Sequence, residues 1–255
     1  MTDGSKPLRD QNILVTGASR GIGAAIVRQL AKEGATPIIQ YGRDRAAAER
    51  VLEEIGGNGV ILQADLSDPK GAARLWEQAC SKVDRIHALV NNAGIRTEES
   101  VEADLEAWQS MWRKEFQVNL FAPADLCREA ILHFSKHEGG KIVNLASRAG
   151  QRGYAAEAMA YGATKAALNN LTKSIARNYG DKGIVAVAIA PGWVFTDMAK
   201  DYIARFGKQS AVADIPIGEM AMPEEIAEVI AFVLHSSQRS LNGATLDMNG
   251  GSYIR

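Results

Sequence analysis

The chain has 255 residues, of which 46% are hydrophobic and 23% charged, a composition sufficient for a large buried core. Its formal net charge of −1 provides no basic field for a nucleic-acid partner, and no segment approaches the roughly 18 consecutive apolar residues of a membrane span. The polar, acid-containing segment 1–12 is unlike a signal peptide, and Cys80 and Cys127 lie in helical patterns, so we expect a soluble cytoplasmic protein.

Short apolar, β-branched segments alternate with amphipathic patterns along the chain. The predicted strands are 13–16, 36–41, 59–64, 86–91, 141–146, 184–189 and 244–248, and the clearest predicted helices are 24–32, 45–55, 71–83 and 223–234. This alternation predicts an α/β, Rossmann-type doubly wound fold, with a seven-stranded parallel sheet and helices on both faces. We expect one domain over 1–255, in which 193–222 form a substrate-binding excursion over the C-terminal edge of the sheet.

A glycine-rich turn follows the first predicted strand, in the sequence NILVTGASRGIGAAI at 12–26. Gly17, Gly21 and Gly23 let the backbone turn sharply and approach a pyrophosphate, and the next helix presents free N–H groups to that anion. The G-x3-G-x-G spacing differs from the commoner fingerprint. The order strand, turn and helix nevertheless favours a nucleotide site over a plain tight connection.

The end of the second predicted strand indicates which dinucleotide binds. An NAD site usually places an acid there to bind the ribose 2′-hydroxyl, whereas this strand ends with Gln40 and Tyr41, and Arg43 lies just beyond. Arg43 and Arg20 of the glycine turn can hold a 2′-phosphate through charge-assisted hydrogen bonds. Because the first acid, Asp44, comes one residue later, we expect NADP; the alternative is two solvated surface arginines.

Further motifs follow in the order TGASRGIG at 16–23, NNAG at 91–94, FQVNL at 116–120, Ser147, Y-x-x-x-K at 161–165, PGWVFT at 191–196 and NGATLDMNGG at 242–251. Over nearly the whole chain this series resembles the single-domain type of the short-chain dehydrogenase/reductase family, and within it the 3-oxoacyl-acyl-carrier-protein reductases. The resemblance implies an enzyme acting on a small carbonyl/alcohol pair, and a homotetramer or homodimer.

Together with the turn and the strand end, the resemblance implies a set of site residues. The catalytic ones are Asn119, Ser147, Tyr161 and Lys165. The last two also bind cofactor, with Gly17, Ser19, Arg20, Gly21, Ile22, Gly23, Tyr41, Gly42, Arg43, Asp65, Leu66, Asn91, Ala93, Gly94, Pro191, Gly192, Val194 and Thr196. By this resemblance Asp65 binds the adenine amino group, Lys165 binds the nicotinamide ribose, and Asn119 anchors a water that links Lys165 to solvent.

Tyr161 is the expected proton donor, because Lys165 follows it by four residues and so shares its helix face, whereas Ala158 stands four residues after Tyr154. A nearby lysine cation is expected to lower the phenol pKa from its usual value of about 10. Tyr161 can then give a proton to a carbonyl oxygen, or take one from an alcohol. Ser147 is expected to hydrogen-bond the substrate oxygen.

The chain departs from the family pattern near the substrate. Tyr161 lies 14 positions after Ser147, one more than is usual in the family, and the acid that commonly precedes the final glycine pair is replaced by Asn249. The substrate therefore stays open between a 3-oxoacyl thioester and a sugar, polyol or other small hydroxy compound. A non-catalytic nucleotide-binding protein and a nucleotide-sugar epimerase or dehydratase are the less favoured functions.

Three arginines stand near the expected substrate side: Arg148 and Arg152 soon after Ser147, and Arg96 after the NNAG motif. If they converge, they indicate an anionic substrate group or an acidic carrier protein, because guanidinium binds carboxylate or phosphate bidentately. The alternative is that Arg148 and Arg152 pair with acids away from the substrate. The substrate-binding residues expected on these grounds are Arg96, Ser147, Arg148, Arg152, Tyr154 and Trp193.

Two helical pairs are not assigned to a functional site. His133 and His137 share a helix face, but no third ligand stands near them in sequence, and we expect no metal site. Trp108 and Trp112 also share a face, and packing in the core or between subunits is their expected role.

Overall fold

The computed structural model describes residues 6–255 except for the side chain of Met198, so residues 1–5 of the polar N-terminal segment lie outside the described residues. Seven parallel strands form one sheet. They are β1 (Asn12–Val15), β2 (Thr36–Tyr41), β3 (Val60–Gln63), β4 (Ala88–Asn91), β5 (Gly140–Leu145), β6 (Ile184–Pro191) and β7 (Thr245–Met248). The predicted seven-stranded, doubly wound α/β fold is therefore confirmed.

The strand order is β3-β2-β1-β4-β5-β6-β7, so the chain builds outward from β1 in one direction and then returns to β1 to build in the other. The reversal falls between β1 and β4, which pair through Leu14 and Leu89. In open parallel sheets the connections on either side of such a reversal diverge, which leaves a crevice at the carboxyl ends of the strands.

Helices cover both faces of this sheet. They are α1 (Gly21–Lys32), α2 (Arg45–Glu54), α3 (Gly71–Cys80), α4 (Leu105–Phe116), α5 (Ala122–Phe134), α6 (Ala149–Arg152), α7 (Met159–Tyr179), α8 (Asp197–Phe206), α9 (Lys208–Val212) and α10 (Pro223–Leu234). A π-helical turn, Gln117–Phe121, joins α4 to α5. Among the helices of residues 6–255, none is long and apolar enough to cross a bilayer.

Two apolar layers fix these helices to the sheet. On one face Ile26 and Leu30 of α1 pack beside Ile230 of α10 against the strands. On the other face Leu126 and Phe134 of α5 belong to a layer shared with α3 and α7. Both faces of every central strand are thus buried, which explains why the strands read as continuous apolar segments instead of alternating ones.

The segment 193–222 is helical and leaves the sheet, in keeping with its lack of a strand signal. It forms α8 and α9 and carries a small apolar cluster of its own, with Ala199, Ala211, Ile215 and Met220 buried. Trp193 and Tyr202 pack on that cluster, and their ring centroids are 4.8 Å apart. The excursion is therefore a small packed unit above the sheet edge.

Candidate active site

A cleft of about 730 Å³ opens at the carboxyl ends of the strands, at the reversal between β1 and β4. It is bounded by the glycine turn after β1, the ends of β2, β3 and β4, the segment after β5, and the turn after β6. Many of the expected cofactor residues line it, among them Ser19, Ile22, Leu66, Ala93, Pro191, Gly192, Val194 and Thr196. The topology alone brings these sequence-distant segments together.

The glycine turn is held tightly against the strand ends. Gly17 has a left-handed φ of +63°, and a Cβ at Gly23 would lie 2.2 Å from the carbonyl oxygen of Gly17. Real Cβ atoms do not approach a backbone oxygen so closely, so this turn requires glycine. The compact turn leaves the first N–H groups of α1 facing the cleft, where an anion is stabilised by the helix dipole.

A polar connection between β1 and β4 supports this turn from below. The amide of Asn92 donates to the carbonyl oxygens of Thr16 at 2.8 Å and of Gly17 at 3.1 Å. In return, Thr16 Oγ1 accepts from the backbone N–H groups of Asn92 and Ala93, both at 3.0 Å. These four bonds set the position of the glycine turn relative to the NNAG motif.

Two expected cofactor residues lie beneath the cleft instead of lining it. Tyr41 is buried among the helices that cover one face of the sheet. Asn91 is buried and donates to Asn144 Oδ1 at 2.8 Å. Successive residues of a strand point to opposite faces, and accordingly Gln40 and Asn92, the sequence neighbours of these two residues, line the cleft.

The two arginines expected to bind the 2′-phosphate lie at the cleft, and hydrogen bonds to other residues engage two nearby acids. Arg20 and Arg43 both line it and are exposed. Asp44 lies next to them, but its Oδ1 accepts from Ala47 N at 2.9 Å and so caps the first turn of α2. Asp65 accepts from the backbone N–H and the hydroxyl of Ser67, and these bonds hold its pKa below the usual value.

Ser147, Tyr161 and Lys165 meet at the deep end of this cleft. Ser147 follows β5, while Tyr161 and Lys165 lie one turn apart on α7. Lys165 Nζ donates to the carbonyl oxygen of Leu145 at 2.6 Å and lies 5.7 Å from the centroid of the Tyr161 ring. The loop, the strand end and the helix thus present a hydroxyl, a phenol and an ammonium group to one volume.

The pKa of Tyr161 moves in the direction opposite to the expected one. Burial, and after it the phenol of Tyr154, raise this pKa to about 12 against the opposing hydrogen bond with Ser147. Burial also lowers the pKa of Lys165 to about 8, against the attraction of Glu115. The expected lowering of the phenol pKa is outweighed here, because burial destabilises the phenolate more than the neighbouring groups stabilise it. At neutral pH Tyr161 therefore carries its proton.

Asn119 lies on the π-helical turn, a geometry that often marks functional positions. Its amide is fully engaged: Oδ1 accepts from Ile95 N, while Nδ2 donates to the carbonyl oxygen of Ile95 and to Glu115 Oε2, each at 2.8 Å. A Cβ at Gly94 would lie 3.3 Å from Asn119 Oδ1 and 3.5 Å from Lys165 Nζ. The amide oxygen and the ammonium group therefore flank the same glycine.

Two of the three arginines on the expected substrate side pair with one carboxylate. Arg148 is buried, and its guanidinium lies 3.1 Å from Asp214 of the excursion. Arg152 pairs with the same carboxylate at 2.9 Å. The segment around them is also tied to β7, because the side chain of Gln151 donates to Asp247 at 2.7 Å. Arg148 and Arg152 therefore both pair with an acid, as in the alternative interpretation, and that acid is Asp214.

Arg96 lies closer to the reacting phenol. It forms an ion pair with Glu98 at 2.7 Å, and its guanidinium lies 5.4 Å from the centroid of the Tyr154 ring. The Tyr154 ring is in turn 5.6 Å from that of Tyr161. Trp193 lines the same end of the cleft. Arg96, Tyr154 and Tyr161 thus form a series of neighbouring side chains.

The histidine and tryptophan pairs on the helices contact other side chains and the main chain. His133 Nε2 accepts from the backbone N–H of Ile86 at 3.2 Å, and its ring lies 4.4 Å from that of His137. Trp108, Trp112 and Phe116 form a ladder along α4, with neighbouring ring centroids 5.8 and 5.6 Å apart.

Some residues of the site have no strong sequence signal. Asn92 and Thr16 could have been found as polar residues at adjacent strand ends, and Gln40 as the residue before the strand end. Gln40 Oε1 accepts from Gly17 N at 2.7 Å and thereby ties β2 to the glycine turn. Glu115 reads as one more charged residue on an amphipathic helix, yet it is completely buried.

Fold and cleft together define a doubly wound, dinucleotide-binding α/β protein. The family model "short chain dehydrogenase" matches residues 11–205. The chain is 33% identical over 247 residues to 3-oxoacyl-[acyl-carrier-protein] reductase FabG of Staphylococcus aureus, covering 96% of this chain and 98% of that protein. It is 35% identical over 241 residues to cis-4-hydroxycyclohexanecarboxylate dehydrogenase of Sinomonas cyclohexanicum, covering 93% and 94%.

Solved structures agree with this relationship. A short-chain dehydrogenase/reductase from Serratia marcescens superposes with a TM-score of 0.88 at 32% identity, covering 97% of this chain and all of that one. A short chain dehydrogenase from Burkholderia cenocepacia, solved in complex with NADP, gives 0.87 at 32% identity, covering 96% and 99%. This chain therefore belongs to the short-chain dehydrogenase/reductase family, whose members are oxidoreductases that bind a nicotinamide cofactor and act on small molecules.

Proposed function

We propose that the protein is an NADP(H)-dependent oxidoreductase that interconverts a carbonyl and a secondary alcohol, with Tyr161 as general acid and base. The observation that carries this proposal is the meeting of Ser147, Tyr161 and Lys165 in the same cleft as the glycine turn. A nucleotide-binding protein without catalysis would have no need of a proton donor at that position, which weighs against the non-catalytic alternative.

Four side chains at the deep end of the cleft have different roles in the proposed reaction. Tyr161 is protonated at neutral pH, the form that donates to a carbonyl oxygen during reduction. Ser147 hydrogen-bonds the substrate oxygen and stabilises the charge that develops on it. Lys165, held by the carbonyl of Leu145, supplies a positive charge beside the phenol as the proton leaves. Asn119 anchors the route by which Lys165 regains a proton from solvent.

The residues that bound the cleft fit a dinucleotide. A Cβ at Gly23 would fill the space against Gly17 that lets the backbone lie close to a pyrophosphate. Bound NADP(H) would supply or accept the hydride. Asp65 would contact the adenine end, Lys165 the nicotinamide ribose, and the Pro191–Thr196 turn the nicotinamide.

Arg20 and Arg43 support NADP(H) over NAD(H), because both line the cleft and Asp44, the acid that follows Arg43 in the sequence, caps α2. We expect the wild type to prefer NADP(H). Arg43→Ala should reduce that preference by roughly 10–150-fold, the worth of one charge-assisted phosphate contact. The measurement is the ratio of kcat/KM for the two cofactors, and equal values in the wild type would contradict the assignment.

Two substrate classes have support. The likeness to the S. aureus 3-oxoacyl-[acyl-carrier-protein] reductase over nearly the whole chain favours a 3-oxoacyl thioester. Arg96 beside Tyr154 favours a small anionic hydroxy compound, as does the likeness to a dehydrogenase of a hydroxycyclohexanecarboxylate. We therefore assign Arg96, Tyr154 and Trp193 to substrate binding. We also assign residues 193–222 as the substrate-binding excursion of a single domain over 1–255.

NADPH oxidation with a panel of carbonyl compounds tests the activity and separates these classes. The panel pairs 3-oxoacyl thioesters with cyclic ketones that carry a carboxylate or lack it. Turnover of none of them would refute the proposed function. If the wild type prefers the carboxylate-bearing ketones and Arg96→Ala abolishes that preference, the anionic class is favoured. Arg152→Ala is the matched control, because the guanidinium of Arg152 pairs with Asp214.

We also propose that the protein is a homotetramer or homodimer and that it is located in the cytoplasm. The exposed faces of Leu105 and Phe121 flank the aromatic ladder of α4 and suit a subunit contact. Both cysteines of the chain are unpaired, as suits a reducing compartment. Light scattering at micromolar concentration should give an oligomer, and a monomer would contradict the assembly.

A further inference from the structure

Glu115 of α4 is a charged residue buried at the back of the site, and none of the roles assigned above uses it. Its side chain has no exposed surface. Burying an ionised carboxylate costs several kcal/mol unless donors and opposite charges surround it. A residue of this kind therefore needs an explanation in its contacts.

Every hydrogen-bond partner of Glu115 supplies a donor. Oε1 accepts from the backbone N–H of Thr97 at 2.5 Å and from the Thr97 hydroxyl at 2.8 Å. Oε2 accepts from Asn119 Nδ2 at 2.8 Å. Burial raises the pKa of Glu115 above its ordinary value, while the bonds from Thr97 and the charges of Lys165 and Arg96 act in the opposite direction. Three donors on two oxygens are surroundings that favour the ionised form of a carboxyl group.

The bond from Asn119 to Glu115 and two bonds with the main chain of Ile95 favour one orientation of that amide. Nδ2 has one hydrogen directed to the carbonyl of Ile95 and the other to Glu115, which leaves Oδ1 to accept from Ile95 N. A flipped amide would set its oxygen against the carboxylate and lose these bonds. The orientation of Asn119 beside Lys165 is therefore fixed by the main chain of Ile95 and by Glu115 together.

The charge of Glu115 has no ion-pair partner within 4 Å among residues 6–255. The cations that attract it are Lys165 on α7 and Arg96 on the loop after β4. Tyr161, also on α7, is the remaining titratable group that feels the charge. Glu115 is the acid that favours the charged form of Lys165, whose own burial favours the neutral form.

We propose that Glu115 is a positioning residue for the proton-transfer group: its buried carboxylate fixes the amide of Asn119 and keeps the positive charge on Lys165. This inference rests on the proposed function, because it assigns Glu115 to the same Tyr161 and Lys165. It adds an anion to the site, so that a cation, a phenol and a carboxylate act as one coupled set.

The sign of the pH effect follows from charge alone. A nearby anion opposes the loss of the first proton from the Tyr161–Lys165 pair, whichever group releases it. Removing the anion should therefore move the inflection of the pH–rate profile to lower pH. It should also lower the plateau of the rate. Without the anion, the form with a Tyr161 phenolate and a charged Lys165 becomes less populated relative to the form in which both groups are neutral.

The experiment compares variants that remove the charge with variants that keep it. Glu115→Gln and Glu115→Met are neutral, and using both guards against a folding defect in either one. Glu115→Asp keeps the charge, and Thr97→Val removes one hydrogen-bond donor without touching the charge. Each variant is first checked for folding by NADPH binding, and then the pH profile of kcat for alcohol oxidation is measured.

We expect the neutral variants to shift the inflection down by about one pH unit and to lower the plateau about tenfold or more. Glu115→Asp and Thr97→Val should keep the inflection near that of the wild type. If all four variants lose activity equally with an unmoved inflection, Glu115 only supports the packing and the proposal is overturned.

A second measurement does not depend on turnover. Carbon-13 NMR of ε-labelled lysines reports the pKa of Lys165, with its signal assigned by its loss in Lys165→Met. Glu115→Gln should lower that pKa relative to the wild type, and an unchanged value would overturn the proposal. Absence of turnover in the wild type would refute the proposed function while leaving this titration as the test of Glu115.

Discussion

The two sides of the cleft are built by different means. On the cofactor side, the glycine turn is positioned by parallel strand ends and by bonds to main-chain atoms, such as those from Asn92 to Thr16 and Gly17. On the substrate side, side-chain ion pairs join segments far apart in the chain, such as Arg148 to Asp214 and Arg205 to Glu98. Main-chain architecture depends on few residue identities, whereas side-chain pairing depends on each partner.

This difference explains why one side can be recognised from motifs and the other cannot. A glycine that must lie within contact distance of another backbone leaves a local signature at a fixed spacing. An arginine leaves no sign of whether it will face a substrate or an acid 60 residues away. Three sets of variants test this contrast, from the largest expected effect to the smallest.

Removing the proposed proton donor should have the largest effect. Tyr161→Phe should lower kcat by about 10³-fold or more, toward the upper end of what general acid–base catalysis contributes. NADPH binding should persist, because only a hydroxyl is lost. Steady-state kinetics and a fluorescence titration of NADPH check both parts. Tyr154→Phe is the control, since its ring lies beside that of Tyr161 on the substrate side, and equal losses in the two variants would contradict the assignment.

A methyl group in the glycine turn should damage the cofactor side specifically. Gly23→Ala places a Cβ 2.2 Å from the carbonyl oxygen of Gly17, so the turn must shift, and we expect NADPH to bind roughly 10–150-fold more weakly. Gly42→Ala is the matched control, because Gly42 also lines the cleft yet nothing lies within 4 Å of its added Cβ. Similar dissociation constants for the two variants would show that the turn tolerates a side chain.

Breaking the Asp214 pair should have the smallest effect, on stability. Asp214→Asn leaves the buried guanidinium of Arg148 without its counter-charge, at a cost of about 1–2 kcal/mol in the free energy of unfolding, since Asp214 itself is 43% exposed. Glu49→Gln breaks the exposed pair with Arg45 and should cost at most about 0.5 kcal/mol. Denaturant titrations measure both values. Equal costs would mean that burial of Arg148 adds nothing to the pair.

Many of the cofactor residues expected from the sequence line the cleft, and two that do not share one feature. Tyr41 and Asn91 are offset by one residue from Gln40 and Asn92, which line the cleft. A strand alternates its side chains with a period of two, so an error of one position moves a residue from the cleft to the core. The motif marks where the strand ends but not which of its last residues faces the crevice.

The sequence by itself determined the alternation of seven strands and their helices, the glycine turn, and the Tyr161–Lys165 spacing. These follow from local periodicity and from distances along one helix. The tertiary structure alone decided that Arg148 faces Asp214 and that burial raises the pKa of Tyr161 to about 12. It also decided that Glu115 lies buried against Asn119. Electrostatic surroundings depend on which distant segments pack together and on how much water they exclude, and neither quantity is encoded in a local pattern.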